Sequence, residues 1–314
     1  MTAANRTELD IEGTQVQASN IDKVYYPKTG FTKGQVIDYY VRISPYLLPH
    51  LKDRPVTLKR YPNGVDGFFF YEKNCPPHPK WVRTTTVPRS EGGTISYCLI
   101  NSLASLVWAV NLADIELHTF LHRAPALNRP TVLAFDLDPG APADLVSCCD
   151  VALRLNTLFG ALNLKCFPKT SGSKGLQVYV PLNTPVTYEK TKEFAHAVAQ
   201  LLEQRLPDAV VSKMQKARRT GKVLVDWSQN DDHKTTVSVY SLRAVERSLV
   251  STPLTWEEVR KAFRTSKPGS IQFQPNDVLK RVKVRGDLFA PVLTLRQKLP
   301  SLAKLKVAAG RLLK

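Results

Sequence analysis

Three aspartates stand where the chain leaves a buried strand. Asp136 and Asp138 end the run Thr131-Val-Leu-Ala-Phe-Asp-Leu-Asp-Pro-Gly140, and Asp226 ends Val223-Leu-Val-Asp226. Alternate residues of a strand share a face, so Asp136 and Asp138 project the same way, roughly 6.5–7 Å apart along it. Carboxylate oxygens held like this suit divalent cations, which take hard oxygen ligands. Two such ions about 4 Å apart stabilise the attacking and the leaving oxygen of a displacement together. Asp226 stands alone after an apolar run, and a buried unpaired carboxylate is costly, so it needs a cation, a lysine or a metal. Asp before Pro-Gly also caps plain turns, and the Asp-x-Asp pair alone is equally a structural feature.

Phosphate chemistry has its own candidates. Lys174, between Gly172 and Gly175, can hold phosphate oxygens while loop amides donate beside it. Residues 171–175 lack the Gly-x-x-x-x-Gly-Lys-Ser/Thr pattern of ordinary nucleotide hydrolases, and a plain hairpin turn is the competing reading. Lys23 precedes Val24-Tyr-Tyr-Pro27, and Lys33 stands where a helix begins. A helix start carries unpaired amides and the positive dipole end, which favour a phosphate. Pro27 and Gly30 let the chain between the two lysines fold back; two solvated surface lysines are the equally weighted alternative. Residues 212–221 carry Lys213, Lys216, Arg218 and Arg219 without clear periodicity, and are expected to move freely. His118, taken alone, is more readily a core or surface histidine than a ligand.

The elements that must position these groups follow from periodicity. Residues 1–20 are polar and expected to be loose. A helix over 35–48 has Val36, Tyr39, Tyr40, Ile43 and Leu47 at helical spacing. Residues 54–60 read as a strand, Asn63-Gly64 as a turn, and the aromatic run 67–73 as another strand. Glu91-Gly92-Gly93 marks a hairpin tip in a Pro-, Thr- and Arg-rich stretch. Further expectations are a helix over 102–114, a strand over 115–120, and helices over 145–159 and 188–206. A strand, glycine loop and strand follow one another over 166–180, and strands are expected over 223–227 and 235–240. From Lys280 onward ten Lys and Arg face one acid, with leucines spaced as in an amphipathic helix. This mixture points to a mixed-sheet α/β architecture rather than a doubly wound one.

Composition narrows the partners. The 314 residues carry 44 Lys and Arg against 27 Asp and Glu, a net charge of +17 that favours a polyanion. No apolar run approaches the roughly 18 residues that span a membrane, and the N-terminus has no apolar signal region. Cys75, Cys98, Cys148, Cys149 and Cys166 show no Cys-x-x-Cys or zinc-ligand spacing, so five reduced thiols in a cytoplasm are expected.

Phe135-Asp-Leu-Asp-Pro-Gly140, Thr170-Ser-Gly-Ser-Lys-Gly175 and Val225-Asp-Trp-Ser-Gln-Asn230 occur in that order, with Glu116-Leu-His118 upstream and Ser241-Leu-Arg243 downstream. Together they resemble the polymerase domain of bacterial ATP-dependent DNA ligase D, mycobacterial type, in the archaeo-eukaryotic primase superfamily. The likeness covers about residues 15–300. It implies a primase-polymerase fold, α/β or α+β, with an RRM-like mixed-sheet catalytic core and an N-terminal α/β lobe. The division it suggests is a flexible N-terminus over 1–15 and a single domain over 16–300. Within that domain a lobe spans about 16–125, a catalytic core about 126–250 and a closing helical segment about 251–300, with a basic tail over 301–314.

By the same resemblance, Asp136, Asp138 and Asp226 bind two divalent ions, Mn2+ or Mg2+, and His118 lies beside them. Ser171, Lys174, Gln177, Gln229, Arg243 and Lys59 are nucleotide-binding, the substrates being NTPs or dNTPs with ribonucleotides preferred. Lys23 and Lys33 correspond to the pair that holds a downstream 5′-phosphate. Phe70 and Tyr71 correspond to an aromatic pair that packs against the template. The hairpin near 83–97 and the loop bearing Lys213, Lys216, Arg218 and Arg219 correspond to elements that align two DNA ends. Gln177 replaces the family's usual histidine; glutamine keeps a hydrogen bond but carries no charge.

The implied activity is template-dependent nucleotidyl transfer to 3′ ends at gaps and breaks, in non-homologous end joining or gap repair. DNA, nucleoside triphosphates, Ku and an ATP-dependent ligase are the expected partners, in a bacterial cytoplasm at the nucleoid, with no membrane. The chain contains no Lys-x-Asp-Gly adenylation motif and reads as a stand-alone enzyme or an excised domain. Two other readings stay open. A haloacid-dehalogenase-type phosphohydrolase also uses a strand-end Asp-x-Asp, but on its first strand and without a following Pro-Gly. A non-catalytic nucleic-acid-binding module explains the charge but not three strand-end aspartates.

Overall fold

The computed structural model describes residues 6–89 and 92–312. In chain order the first elements are β1 (Arg6–Ile11), β2 (Thr14–Ser19), β3 (Val24–Tyr26), β4 (Phe31–Thr32), α1 (Lys33–Leu51), β5 (Pro55–Arg60) and β6 (Phe70–Glu72). Then come β7 (Arg83–Pro88), β8 (Thr94–Leu99), α2 (Leu103–Asn111) and β9 (Asp114–Thr119). The middle of the chain holds β10 (Val132–Pro139), α3 (Leu145–Ala161), β11 (Phe167–Thr170), β12 (Leu176–Pro181), α4 (Tyr188–Arg205), β13 (Val210–Val211) and β14 (Val223–Asp226). The last elements are β15 (Thr236–Val237), α5 (Trp256–Thr265), α6 (Pro275–Arg285), α7 (Pro291–Thr294) and α8 (Leu302–Leu312). The mixture of helices and sheets is the α/β class expected.

Two compact units share the chain. One comprises residues 1–125, 235–251 and 273–286; the other comprises 126–234, 252–272 and 287–314.

The first unit is built on a six-stranded sheet in the order β15-β9-β5-β8-β7, with β6 added to β5. Helix α1 starts at a capping box between Thr32 and Gln35 and buries Val36, Tyr39, Tyr40, Ile43 and Leu47. It runs through Pro45, which removes an amide from the ladder; the Val41 carbonyl accepts the Ser44 hydroxyl at 2.8 Å.

Several expectations are corrected in this unit, among them the strand over 235–240, which is formed only over Thr236–Val237. Residues 6–19, expected to be loose, form the β1–β2 hairpin, while residues 1–5 lie outside the described residues. The aromatic run 67–73 forms a strand only over Phe70–Glu72. Cys75 and Cys98, expected to be reduced, form a disulfide. The Cys75 amide donates to Ser96 O at 2.6 Å, which lays this segment along β8, a proximity that no sequence spacing announces. Of the expected hairpin tip, Glu91 lies outside the described residues; Arg89 N donates to Gly93 O across it.

The second unit is built on a five-stranded sheet in the order β11-β12-β10-β14-β13, antiparallel except for β13–β14. Helix α3, capped by Asp144 on the amides of Val146 and Ser147, packs on β10, β12 and β14. Phe135 meets Phe159 of α3 at 5.5 Å between ring centroids. With Leu133, Phe135 and Leu137 turned to the helices, alternation sends Ala134, Asp136 and Asp138 to the other face. Strand Val132–Pro139 thus contributes to the core on one face and carries two carboxylates on the other.

Candidate functional site

Each unit carries a polar cluster built on its sheet. In the second, sheet register places Lys169 opposite Gln177, Gln177 opposite Asp136, and Asp136 opposite Asp226. These four stand in one row across four strands and so on one face, with Asp138 two residues further along β10. Asp226 accepts three hydrogen bonds, from Ser228 N at 2.8 Å, Ser228 Oγ at 2.7 Å and Gln229 Nε2 at 3.1 Å. The strand ends are locked by Asn230, which is fully buried. Its Oδ1 accepts from Ala134 N at 3.0 Å and its Nδ2 donates to Ala134 O at 2.7 Å. Asn230 closes the motif Val225-Asp-Trp-Ser-Gln-Asn230, and its residue type alone announces no such role.

The donor set fits hard cations: three carboxylates on adjoining strand ends, with a guanidinium already drawn to one of them. Arg219 Nη1 donates to Asp138 Oδ2 at 3.2 Å, while its Nη2 donates to Met214 O at 2.6 Å. The loop 212–221 is therefore anchored, not loose as its composition suggested. Gly140 N donates to Lys222 O, and a Cβ on Gly140 would lie 2.0 Å from Arg219 O. Lys213, Lys216 and Arg218 of the same loop are exposed.

The loop between β11 and β12 is shaped by Ser171, whose Oγ accepts from Ser173 N at 3.2 Å and Gly175 N at 3.1 Å. Two of the amides expected to serve phosphate are thus used within the loop. Gly172 has φ +72°, and a Cβ on Gly175 would lie 2.0 Å from Leu137 O. Lys174 is exposed between them.

In the first unit, β9 alternates Asp114, Ile115, Glu116, Leu117 and His118, so its three polar residues share a face. Glu116, 1 % exposed, is the hub. Its Oε1 accepts from Lys59 Nζ at 3.2 Å, Tyr61 OH at 3.2 Å and Ala244 N at 3.0 Å. Its Oε2 lies 2.9 Å from His118 Nε2 and 3.1 Å from Arg243 Nε. Burial pushes the Glu116 carboxyl up, but the His118 hydrogen bond and the Arg243 and Lys59 charges outweigh it and hold it well below the usual carboxylate range. Burial lowers the His118 imidazole against the pull of Glu116. Burial also lowers Lys59, whose ammonium sits 4.6 Å from the Phe69 ring centre and 5.5 Å from that of Tyr71. Glu116 is a buried carboxylate that its residue type alone does not single out; the polar–apolar alternation of β9 is its signal.

Phe70 and Tyr71, expected to act as a pair, are neighbours on β6 with different surroundings. Tyr71 packs edge-on against Phe69 and His118, whereas Phe70 stacks on Phe68 with the Arg60 guanidinium 5.2 Å from its ring centre. Phe68 and Phe69, not singled out in the sequence, are 74 % and 45 % exposed.

Lys23 and Lys33 come together, since Lys33 N donates to Lys23 O at 2.8 Å. Their ammonium groups turn to the protein. Lys33 Nζ donates to Ser19 O at 2.6 Å and Asn111 Oδ1 at 2.8 Å, and Lys23 Nζ donates to Pro62 O at 2.7 Å and Asn63 Oδ1 at 3.0 Å. The first amides of α1, expected to be unpaired, are also taken: Gly34 N donates to Ile21 O at 2.7 Å and Gln35 N to Thr32 Oγ1. Lys33 is buried, and its pKa is lowered to about 8 by that burial and by the charges of Lys23 and Arg60.

Strand-end acids on a mixed sheet are the donor set of a polymerase-type nucleotidyltransferase, and known proteins agree. Residues 32–289 match the family model described as "LigD, primase-polymerase domain", and the chain belongs to that family. It is 39% identical over 285 residues to the "Multifunctional non-homologous end joining protein LigD" of Mycolicibacterium smegmatis, covering 88% of this chain and 36% of that protein. It is 30% identical to the "Bifunctional non-homologous end joining protein LigD" of Bacillus subtilis, covering 87% of this chain and 43% of that protein. The chain thus spans less than half the length of these relatives. A solved structure, "Polymerase Domain from Mycobacterium tuberculosis Ligase D in complex with DNA", superposes with a TM-score of 0.82 at 39% identity, covering 90% of this chain and 99% of that one.

Proposed function

We propose that the chain extends 3′ ends at gaps and double-strand breaks by template-directed nucleotidyl transfer, in non-homologous end joining. The observation that carries this is the placement of Asp136 directly opposite Asp226, with Asp138 on the same face of β10. Asp136, Asp138 and Asp226 would hold two divalent ions, Mn2+ or Mg2+, which supply activation of the 3′-hydroxyl and neutralisation of the triphosphate. Arg219 balances the charge of Asp138 and competes for its Oδ2. Ser228, Gln229 and Asn230 fix the carboxylate of Asp226 and its strand end before substrate arrives.

Lys174 and Ser171 face the triphosphate in this reading, and Gln177, buried beside Asp136, replaces a charge with a hydrogen bond. Lys59, Arg243 and His118 contact the nucleotide, with Glu116 setting their orientation. Phe70 and Tyr71 pack against template bases, and Lys213, Lys216, Arg218 and Arg219 help align ends. Lys23 carries most of the 5′-phosphate contact, because it is exposed whereas Lys33 is buried, although both ammonium groups have internal partners to give up. DNA, NTPs with a ribonucleotide preference, Ku and an ATP-dependent ligase are the proposed partners, in a bacterial cytoplasm at the nucleoid. No helix among the described residues is long and apolar enough to cross a membrane.

The test is nucleotide incorporation on a short gap, ribo- against deoxynucleotide, with a 5′-phosphate or a 5′-hydroxyl downstream, in Mn2+ and in Mg2+. The proposal expects ribonucleotide addition that the 5′-phosphate stimulates. Absence of incorporation on every substrate would overturn it.

A further inference from the structure

A cavity of about 660 Å³ lies in the second unit between the start of α4 and the extended chain 295–301 that leads into α8. Its volume is in the range of ligand pockets. Val186, Phe194, Leu299 and Leu302 give it an apolar lining. Lys190, Arg296 and Lys298 also line it; all three are exposed, and none forms an ion pair with an acid among the described residues. Glu193 is the acidic member of the lining.

The wall formed by 295–301 is held in place from behind. Gln297 N donates to Leu182 O at 2.8 Å, Gln297 Nε2 donates to Pro181 O at 2.7 Å and Lys165 O at 3.0 Å, and Gln297 Oε1 accepts from Lys165 N at 2.7 Å. With Gln297 turned inward, the alternation of an extended chain sends Arg296 and Lys298 to the opposite side. The backbone carrying these two cations is thereby held beside the apolar lining by the hydrogen bonds of the residue between them.

We propose that this cavity docks a short acidic peptide of a partner protein, with an apolar side chain inserted between the basic residues. Three cations against one acid give the charge complementarity for such a segment, and the apolar lining takes its anchor. A nucleic-acid strand fits less well. Phe194 is 1 % exposed and offers no face for a base to stack on, and single strands are bound by grooves that track the backbone with aromatic platforms.

The experiment uses fluorescence anisotropy of the full chain with a fluorescein-labelled peptide of aspartate and glutamate flanking leucine and phenylalanine. A version with asparagine and glutamine in place of the acids is the control, and a single-stranded oligonucleotide of equal length is the competitor. The double variant Arg296→Glu with Lys298→Glu, and separately Val186→Asp, should each weaken peptide binding roughly tenfold or more. Both should leave circular dichroism and nucleotide incorporation unchanged. If the double variant loses its fold, Lys190→Glu on the surface of α4 takes its place with the same expectation. Saturable binding that needs the acids and falls in the variants supports the proposal. No saturable binding, binding indifferent to the variants, or full displacement by the oligonucleotide would overturn it, the last making the cavity a nucleic-acid contact.

Discussion

Glu116 is almost sealed from water, yet it stays ionised because Lys59, His118 and Arg243 converge on it. Replacing it by glutamine leaves two cations without their counter-charge, and breaking a buried pair from one side costs about 3 kcal/mol. Glu116→Gln should therefore lower stability in denaturant titrations by about that amount and raise the KM for nucleotide. The pH dependence has a definite sign. The folded carboxyl titrates below its ordinary 4.5, so its stabilisation is complete above that value and is lost as pH falls further; the variant should lack this acid-side loss. Lys33 behaves in the opposite sense. Its folded pKa of about 8 lies below its ordinary 10.5, so between those values the unfolded chain holds more protons and stability rises with pH. Relative to Lys33→Met, the wild type should gain up to about 3 kcal/mol across that window in thermal or denaturant unfolding. The aspartates were legible because strand alternation and Pro-Gly place them. The inward turn of Lys33 was not, since its partner Asn111 is 78 residues away.

The glycine loop between β11 and β12 is an element whose shape depends on one missing methyl group. A side chain on Gly175 would strike Leu137 O on β10, so Gly175→Ala should displace Lys174 and raise the KM for nucleotide by tenfold or so while DNA binding is kept. Steady-state incorporation against nucleotide concentration, with DNA affinity measured alongside, reads this directly. Helices α1 to α4 were legible to within a turn, helped in the first three by start residues that cap them: Thr32, Ser102 and Asp144 each accept from their own first turn; the closing helical segment expected over 251–300 is instead divided among α5, α6 and α7. The β1–β2 hairpin was missed because its strands alternate polar residues with few large apolar ones, which reads as loop composition. The disulfide was missed because pairing strands, not spacing, bring Cys75 to Cys98. Thiol titration of denatured protein should find three thiols before reduction, from Cys148, Cys149 and Cys166, and all five after it.

At the scale of the whole molecule, the net charge of +17 was the most legible property, and it bears on affinity, not on fold. Binding to gapped DNA should weaken linearly on a log–log plot against salt, because phosphate contacts release counterions. The two returns of the chain to the first unit, at 235–251 and 273–286, are signalled by no change in composition. Ordered motifs revealed the family because each is short, local and bound to its own strand end. The proposed catalysis rests on three carboxylates acting as metal ligands. Its most direct test is single-nucleotide incorporation on a gapped duplex by wild type, Asp136→Ala, Asp138→Ala and Asp226→Ala, with DNA affinity measured in parallel. Incorporation should be abolished in each variant while DNA affinity stays within a few-fold of wild type. Wild-type turnover in any one of the three would contradict the assignment of that residue, and in all three would contradict the mechanism.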